Sequence, residues 1–301
     1  QHGSLPEPLR VVADAVERDK VTGRAFLKGF VGKVDDSAFT IDHGPFCAKK
    51  GADCHQPSGE EIAKAVAWQL DALPLPSRGP LLRRLFEILG QGAAGDWTAS
   101  PCSLDSSSGK LSGSCSAAHG FVEHLLMEWG AGMRPGWGRA PEYEIPSLLE
   151  LHTWYRSVSD GAPTLVAKTQ ASIFRAVLAA LDTEQEGTTL FAGHDTQLNA
   201  LGAGLCLSWA PEPFPVNATL PNSALRFELE GDEIQVDYLF LANISDTSGA
   251  MVSVPATFGS TGSNRISMTG FSLLVSRASD AACSNVGPAP FAEIARAVVV
   301  V

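Results

Sequence analysis

The chain has 301 residues, of which 45% are hydrophobic, so it can bury a substantial core as one large domain or as a domain with an insertion. Its formal net charge of −11 argues against nucleic acid as a general partner. Its apolar runs are all shorter than the roughly 18 residues that span a membrane, so no membrane partner is expected.

A strand and a helix are predicted at the start of the chain. Residues 9–13 are a short apolar run typical of a strand. A helix is expected over about 16–30, with Asp14 as its cap. The capping-box sequence at 58–61 indicates a second helix that runs to about residue 73, where prolines end it.

The stretch 90–113 is rich in glycine and serine, which is typical of a loop. It contains a formal G-x-G-x-x-G at Gly90–Gly95, but that motif binds a dinucleotide only between a strand and a helix. Here it follows a short predicted helix, 80–89, and precedes a loop, so dinucleotide binding is rejected. The sequence also lacks the G-x-S-x-G turn of serine hydrolases and the P-loop motif.

The remaining elements are predicted from periodicity and turn residues. A hairpin is expected around Gly231-Asp232, because alternating residues flank this turn signal. Val298–Val301 has the composition of a buried parallel strand. The predicted helices cover 116–129, 145–157 and 164–181, and the predicted hairpin strands cover 226–230 and 233–240.

Six cysteines, an even number, indicate disulfides and an oxidising compartment. Cys102 with Cys115 is the first expected pair and Cys47 with Cys54 the second, because both pairs are close in sequence and lie in polar surroundings. A zinc site at the second pair together with His55 is the alternative, although the chain has no C-x-x-C and no matching second half. The cysteines without an assigned partner are Cys206 and Cys283.

Gly193–Thr196 places an imidazole beside a carboxylate where a short apolar strand, 188–192, ends and a helix begins. The edge of an open α/β sheet, where strands end and helix N-termini point their amides outward, is where such folds bind anions. His194 and Asp195 can there grip a phosphate and hand a proton to its leaving group. The alternative makes Asp195 a helix N-cap and His194 an ordinary loop residue.

A metal-dependent phosphohydrolase also uses adjacent histidine and aspartate. It needs further ligands of both kinds, and no such set stands at ligand spacing in the sequence. His119, His124 and His152 lie on predicted helices without a partner signal, so no role is assigned to them. The sequence therefore predicts no metal site.

Four segments, in chain order, resemble the histidine acid phosphatase family. Asp14–Phe26 follows the family's Asp-x-x-x-Arg-x-x-x-Thr-x-x-x-Phe pattern, and Gly193–Thr196 matches its proton-donor motif. Gly132–Arg139, which ends in Gly-Trp-Gly-Arg, looks like a loop of the bacterial phytase and glucose-1-phosphatase-like branch. Cys283–Arg296 is similar to the closing segment of that branch. The resemblance extends over about residues 11–296.

This resemblance implies phosphomonoester hydrolysis at acidic pH through a phosphohistidine intermediate, without a metal or an organic cofactor. By resemblance, Asp195 protonates the departing oxygen, His194 binds phosphate, and Arg18 clamps two phosphate oxygens with its planar guanidinium. Glu123 matches a carboxylate that lies near the substrate. The alternatives are that Arg18 pairs with Asp14 along its helix and that Glu123 lies on a solvated helix face.

The family's nucleophile lies in Arg-His-Gly-x-Arg-x-Pro directly after the first buried strand, and this chain has no such motif. Gln1-His2-Gly3 is rejected as its counterpart, because both arginines and a preceding strand are missing. The simplest account is a chain that starts late, with the nucleophile before Gln1 or on a companion segment. The other account is a rearranged chain in which the nucleophile follows Val301, because 298–301 resembles the strand that leads into Arg-His-Gly.

By the same resemblance, the expected fold is α/β: a central, mostly parallel sheet flanked by helices, phosphoglycerate-mutase-like, with a smaller, mainly helical subdomain. The α/β domain is expected over residues 1–40 and 141–301, and the helical subdomain over 41–140. The site should lie at the strand ends, between the two parts.

The expected function is that of an acid phosphatase or phytase, periplasmic or secreted, whose partner is a small phosphorylated substrate such as phytate or a sugar phosphate. Without its nucleophile, the chain alone should be inactive or nearly so. One alternative is a non-catalytic phosphate- or phosphosugar-binding homologue that keeps Arg18 and His194. Another is an acid phosphatase that uses His2 after a local rearrangement.

Overall fold

A computed structural model provides the coordinates of the chain. The residues that it describes are 8–31, 36–46, 57–73, 79–90, 102–182, 187–246, 248–259, 261–279 and 296–300. The predicted pair Cys47 and Cys54, the rejected His2, and Cys283 with most of its segment lie outside these ranges.

Within these ranges the secondary structure follows an α/β pattern. The helices are α1 (Glu17–Val31), α2 (Gly59–Ala72), α3 (Gly79–Ile88), α4 (Ser114–Gly130), α5 (Ile145–Ser159), α6 (Pro163–Thr169), α7 (Ala171–Leu181), α8 (Asp195–Gly204) and α9 (Met268–Ser279). The strands are β1 (Leu9–Ala13), β2 (Phe39–Ile41), β3 (Ser103–Leu104), β4 (Leu111–Ser112), β5 (Gly187–Ala192), β6 (Leu207–Ser208), β7 (Ala224–Glu230), β8 (Glu233–Leu241), β9 (Met251–Pro255), β10 (Thr257–Phe258), β11 (Arg265–Ser267) and β12 (Arg296–Val300).

Eight strands form one mixed sheet with the order β11-β8-β7-β12-β5-β1-β2, and β9 pairs with β8. The four strands β2, β1, β5 and β12 are parallel, whereas β7, β8, β9 and β11 join by antiparallel pairings. The predicted α/β fold is therefore confirmed, with a parallel half and an antiparallel half. The antiparallel half begins at the hairpin predicted around Gly231-Asp232, which joins β7 to β8.

Alternate residues of the central strands face opposite sides of the sheet, as the period of two in a strand requires. The residues that pack with Leu27 of α1 on one side are Val11, Leu190 and Val299. The next residues along the same strands are Val12, Phe191 and Val300, which are neighbours in the strand register. They belong to the larger core, which also contains buried side chains of α7 and α9. Helices on both faces explain why these strands are apolar at consecutive positions.

A helical layer lies beside the sheet. Helices α4 and α5 pack along each other, and α2 and α3 pack against α5. The predicted disulfide between Cys102 and Cys115 is confirmed, with a Cα–Cα distance of 5.4 Å, and it ties the segment before β3 to the first turn of α4. Helix α5 belongs to the predicted α/β domain, but it packs on helices of the predicted helical subdomain. The division of the chain at residues 40 and 140 therefore remains a prediction.

Two local predictions need correction. The helix expected over 164–181 is two helices, α6 and α7, which are bent by 70° at Gln170. Asp14 does not cap α1, because the helix begins three residues later and the Asp14 side chain is buried at the sheet edge. Cys206 follows α8 in a turn with a positive φ of 54° and is disulfide-bonded.

In the described part of the chain, no single helix has the length and apolar character to cross a membrane. The bent pair α6 and α7 meets those criteria only when its two helices are counted together.

A glycine substitution tests the packing of α8 on α7. A Cβ atom at Gly204 would lie 2.3 Å from the fully buried ring of Phe174, whereas a Cβ at Gly120 in α4 meets nothing within 4 Å. Gly204→Ala should lower the free energy of unfolding by about 1–3 kcal/mol through overpacking. The control Gly120→Ala should raise it by about 0.5–1 kcal/mol, because alanine is the better helix former. Urea unfolding measures both, and equal effects of the two changes would contradict this packing.

Candidate active site

The candidate site lies at the edge where the parallel strands end. Ala13 of β1 stands opposite Ala192 of β5, and the Asp14 amide donates to the Ala192 carbonyl at 3.2 Å. The residues that follow these two strands therefore come together, although they are far apart in the sequence. Open α/β sheets bind ligands at this edge.

His194 is fixed at the N-terminus of α8. It is the N-cap residue, with extended φ/ψ of −126° and 165°, and its amide donates to Gln197 Oε1 at 2.9 Å. The alternative in which Asp195 caps the helix is wrong, because Asp195 is already the first helical residue. A Cβ at Gly193 would lie 2.8 Å from the Phe46 ring, so glycine allows this close turn from strand to helix.

Arg18 and His194 converge. The Arg18 guanidinium lies 2.5 Å from His194 Nδ1 across 176 positions of sequence. Its alternative partner Asp14 is instead engaged by His43, whose Nδ1 lies 2.9 Å from the Asp14 carboxylate. Since an arginine can only donate, Nδ1 of His194 accepts in this contact and the ring proton resides on Nε2.

Two buried carboxylates lie behind this pair. The side chains of Asp14 and Asp19 are 2% and 3% exposed, and His194 Nε2 lies 3.9 Å from the first and 3.2 Å from the second. Among the described residues, Asp19 Oδ2 nevertheless has no partner with hydrogen-bond geometry. Burial raises the pKa of Asp19, against the opposing effect of His194 and Arg18. Sequence reasoning missed Asp19, whose only signal is its position next to Arg18.

Asp195 is held from the other side by Arg156 of α5. Arg156 Nη2 lies 2.9 Å from the Asp195 carboxylate and donates to Thr196 Oγ1 at 3.0 Å, while its Nη1 lies 2.8 Å from Asp160. The Asp195 side chain is 39% exposed, so it is anchored and still accessible. Nothing in the sequence around Arg156 indicated this contact.

These groups line one cleft of about 300 Å³. Arg18, His194 and Asp195 lie on its sheet side, and Glu123 of α4 lies on its helical side together with His152 of α5. The four site residues predicted from the sequence therefore share one cavity. Glu123 is exposed but faces this cleft, and its role as a substrate contact remains a prediction.

The fold brings together histidine and carboxylate side chains that were not recognised as sets in the sequence. Two groups of acidic and histidine side chains have ligand atoms that all lie within 4.8 Å of one another. The groups are Asp14, Asp19 and His194 at the sheet edge, and His119, Glu123 and His152 between α4 and α5. Both groups form only when distant segments fold together, so spacing along the chain could not reveal them.

The first group suits a cation poorly. Arg18 already contacts the His194 ring, and Asp14 already accepts from His43 and from the Ala15 amide at 2.6 Å. A metal ion there would face a guanidinium at close range. The arrangement can instead hold an anion in front of Arg18 and His194, at the N-terminus of α8.

No family model matches the chain. A region of 131 residues is 31% identical to phytase AppA of Escherichia coli (strain K12) and covers 39% of this chain and 30% of that protein. The aligned region thus spans less than a third of this relative.

Among solved structures, phytase from Citrobacter braakii matches with a TM-score of 0.74 and 20% identity, over 92% of this chain and 81% of that one. Hafnia alvei phytase in complex with myo-inositol hexakis sulphate matches with a TM-score of 0.74 and 21% identity, over 90% and 78% of the two chains. The chain therefore has the fold of the bacterial phytases of the histidine acid phosphatase family and is homologous to one of them in sequence. This confirms the resemblance drawn from its motifs.

The Arg156 contacts make a stability prediction. Arg156→Leu should lower the free energy of unfolding by about 1–3 kcal/mol at neutral pH, because Asp160 then keeps a partly buried charge without its cation. Burial raises the pKa of Asp160, and Arg156 opposes that rise. Protonated Asp160 needs no cation, so the deficit should shrink as the pH falls.

Urea unfolding at about pH 7 and about pH 4.5 measures this dependence across the range in which carboxyl groups titrate. Lys64→Leu, which removes an exposed ion pair with Glu60, is the control and should change stability by less than about 1 kcal/mol. Arg156→Leu combined with Asp160→Leu should recover part of the loss. A deficit that is independent of pH would contradict the assignment.

Proposed function

We propose that the chain is the acid-catalytic part of a phosphomonoester hydrolase of the acid phosphatase and phytase type, which acts through a phosphohistidine. The observation that carries the proposal is the convergence of Arg18 and His194, 2.5 Å apart, beside an accessible Asp195 at a helix N-terminus. Guanidinium, imidazole and helix amides together suit a phosphate dianion.

The proposed roles follow from the contacts. Arg18 is exposed on its cleft side and has further N–H groups for phosphate oxygens. His194 binds the phosphate beside Arg18, and the Asp19 carboxylate, 3.2 Å from His194 Nε2, orients the ring. Asp195 then protonates the ester oxygen as the bond between phosphorus and that oxygen breaks. Because this proton comes from a carboxylic acid, the reaction is expected at acidic pH.

In the same proposal, a histidine nitrogen forms a bond to phosphorus as the alcohol leaves. Water then attacks the phosphohistidine, Asp195 takes up a proton from that water, and inorganic phosphate is released. This sequence restores both the nucleophile and the acid.

The topology supports a nucleophile that follows β12. This strand lies in the centre of the sheet, parallel to β5, with Val300 opposite Phe191. Its carboxyl end therefore points to the same edge as His194, three positions beyond Phe191. The family's nucleophile motif directly follows a buried parallel strand, so this observation favours the account in which the nucleophile comes after Val301.

The buried carboxylates at the sheet edge also support the proposal that a positively charged segment follows β12. Asp14 and Asp19 are nearly inaccessible, and Asp19 Oδ2 has no hydrogen-bond partner in the ranges that the structure describes. Buried carboxylates need cations or donors to offset their desolvation. The Arg-His-Gly-x-Arg-x-Pro segment would supply two arginines and a histidine beside them.

The substrate class and the compartment are part of the proposal. Hafnia alvei phytase was solved with myo-inositol hexakis sulphate, an analogue of a polyphosphorylated inositol, which supports phytate or a sugar phosphate as the substrate here. The disulfide between Cys102 and Cys115 supports an oxidising compartment, periplasmic or extracellular.

Ligand binding tests the phosphate site. Arg18→Ala should weaken binding of myo-inositol hexakisphosphate at acidic pH by at least about tenfold, and Arg18→Lys should recover it only in part, because lysine lacks the planar fork. Isothermal titration calorimetry measures both. Arg265→Ala, on the edge strand β11 outside the cleft, is the control and should bind like the unchanged chain. Unchanged affinity of Arg18→Ala would refute the site.

Hydrolysis of nitrophenyl phosphate tests the nucleophile. The chain of residues 1–301 should show little turnover, whereas an extension after Val301 that carries the Arg-His-Gly segment should show robust turnover. Replacing the added histidine with alanine should abolish the gain, and Asp195→Asn should lower it by about 10²–10⁴-fold. Robust turnover by residues 1–301 alone would sink the proposal of a missing nucleophile. Binding without turnover in the extended chain would favour the non-catalytic alternative.

A further inference from the structure

The structure assigns a second site to the cleft wall, which we name the helix-pair site: His119 and Glu123 of α4 with His152 of α5. We propose that it binds a divalent transition-metal ion of the zinc class. The ligand atoms of the three side chains all lie within 4.8 Å of one another. Two imidazoles and one carboxylate form a donor set that zinc accepts, with a fourth position left open.

The packing of α5 on α4 brings the three groups together. His119 and Glu123 are four residues apart on α4 and therefore lie on the same face of the helix. Helix α5 packs along that face and supplies His152. The ring centroids of the two histidines are 4.5 Å apart, and Tyr155 stacks on His119 at 4.2 Å, which limits the motion of that ring.

Both imidazoles are prepared to act as ligands. His152 is 4% exposed, and within the part of the chain that the structure describes neither its Nδ1 atom nor Nδ1 of His119 has a hydrogen-bond partner. Each Nδ1 atom can therefore present its lone pair to a cation.

The charges around the helix-pair site favour a cation. Glu123 belongs to the site, and Asp195 and Asp160 interact electrostatically with its histidines. Arg156 is the opposing cation, but it is held by Asp160 and Asp195 at 2.8 and 2.9 Å. Three carboxylates against one guanidinium leave the surroundings net acidic, and imidazole ligands select zinc-class ions over magnesium or calcium.

The helix-pair site borders the phosphate cleft. Glu123 and His152 line that cleft together with Asp195. A bound ion would therefore use Glu123 as a ligand and place a positive charge in the wall opposite Arg18. This inference concerns metal binding and does not depend on the proposed phosphatase activity.

Titration with Zn²⁺ alone, followed by calorimetry, tests the helix-pair site on the full chain, and Co²⁺ reports the coordination geometry by its visible absorption. We expect saturable binding and a tetrahedral Co²⁺ spectrum. Loss of a group that only supports a metal ligand costs about 10–100-fold in metal affinity. Glu123→Gln and His119→Gln each remove a ligand, so each should weaken Zn²⁺ binding by more than that. Both positions are at least partly exposed, so these variants should fold.

The matched control is His124→Gln, which changes the other histidine of α4, whose Nδ1 lies 2.6 Å from the Gly120 carbonyl oxygen. It should bind Zn²⁺ like the unchanged chain. Zn²⁺ affinity that survives His119→Gln would overturn the assignment. So would loss of binding in His194→Ala together with normal binding in His119→Gln, because the ion would then occupy the sheet edge.

Discussion

The contact between Arg18 and His194 depends on the parallel pairing of β1 with β5. That pairing sets Ala13 beside Ala192, so the first turn of α1 and the N-terminus of α8 begin from the same edge. A slip of one residue would turn Val11 and Leu190 out of the core that they share with Leu27. The hydrophobic core therefore determines the separation of Arg18 and His194, the two groups proposed to bind phosphate.

The balance of charge in the cleft is the second constraint. Its sheet side holds Asp14 and Asp19 almost out of water, with the His194 ring beside them and Arg18 as the nearby cation. On its helical side, Arg156 forms ion pairs with both Asp160 and Asp195. Each cationic group serves both to stabilise buried carboxylates and to shape the site, so the folding energy and the chemistry are coupled. The helix-pair site lies in the same wall and adds a place for one more positive charge.

The sequence predicted the elements whose signals are local. The capping box at Ser58, the strand before His194 and the hairpin at Gly231 were all visible as short patterns, and the structure has each of them. The break at Gln170 was missed, because the residues around it continue an apolar helical pattern. In the fold, Gln170 instead accepts a hydrogen bond from Gln197 of α8, a contact that depends on tertiary structure.

The site residues show the same division between local signals, which the sequence carries, and tertiary contacts, which it does not. Arg18 and Asp195 were found because they belong to motifs, whereas Arg156 and His119 act through partners on other helices. No periodicity encodes which side chains two packed helices bring together, since that depends on their crossing and register. The position of β12 likewise follows from long-range pairing with β5.

The most direct test of the account is a crystal structure of the chain with tungstate, an oxyanion of phosphate shape. The account predicts one anion at the N-terminus of α8, in contact with both the Arg18 guanidinium and the His194 ring, with the Asp195 carboxyl facing it. An anion bound elsewhere in the cleft, or one that touches neither of those two side chains, would contradict it.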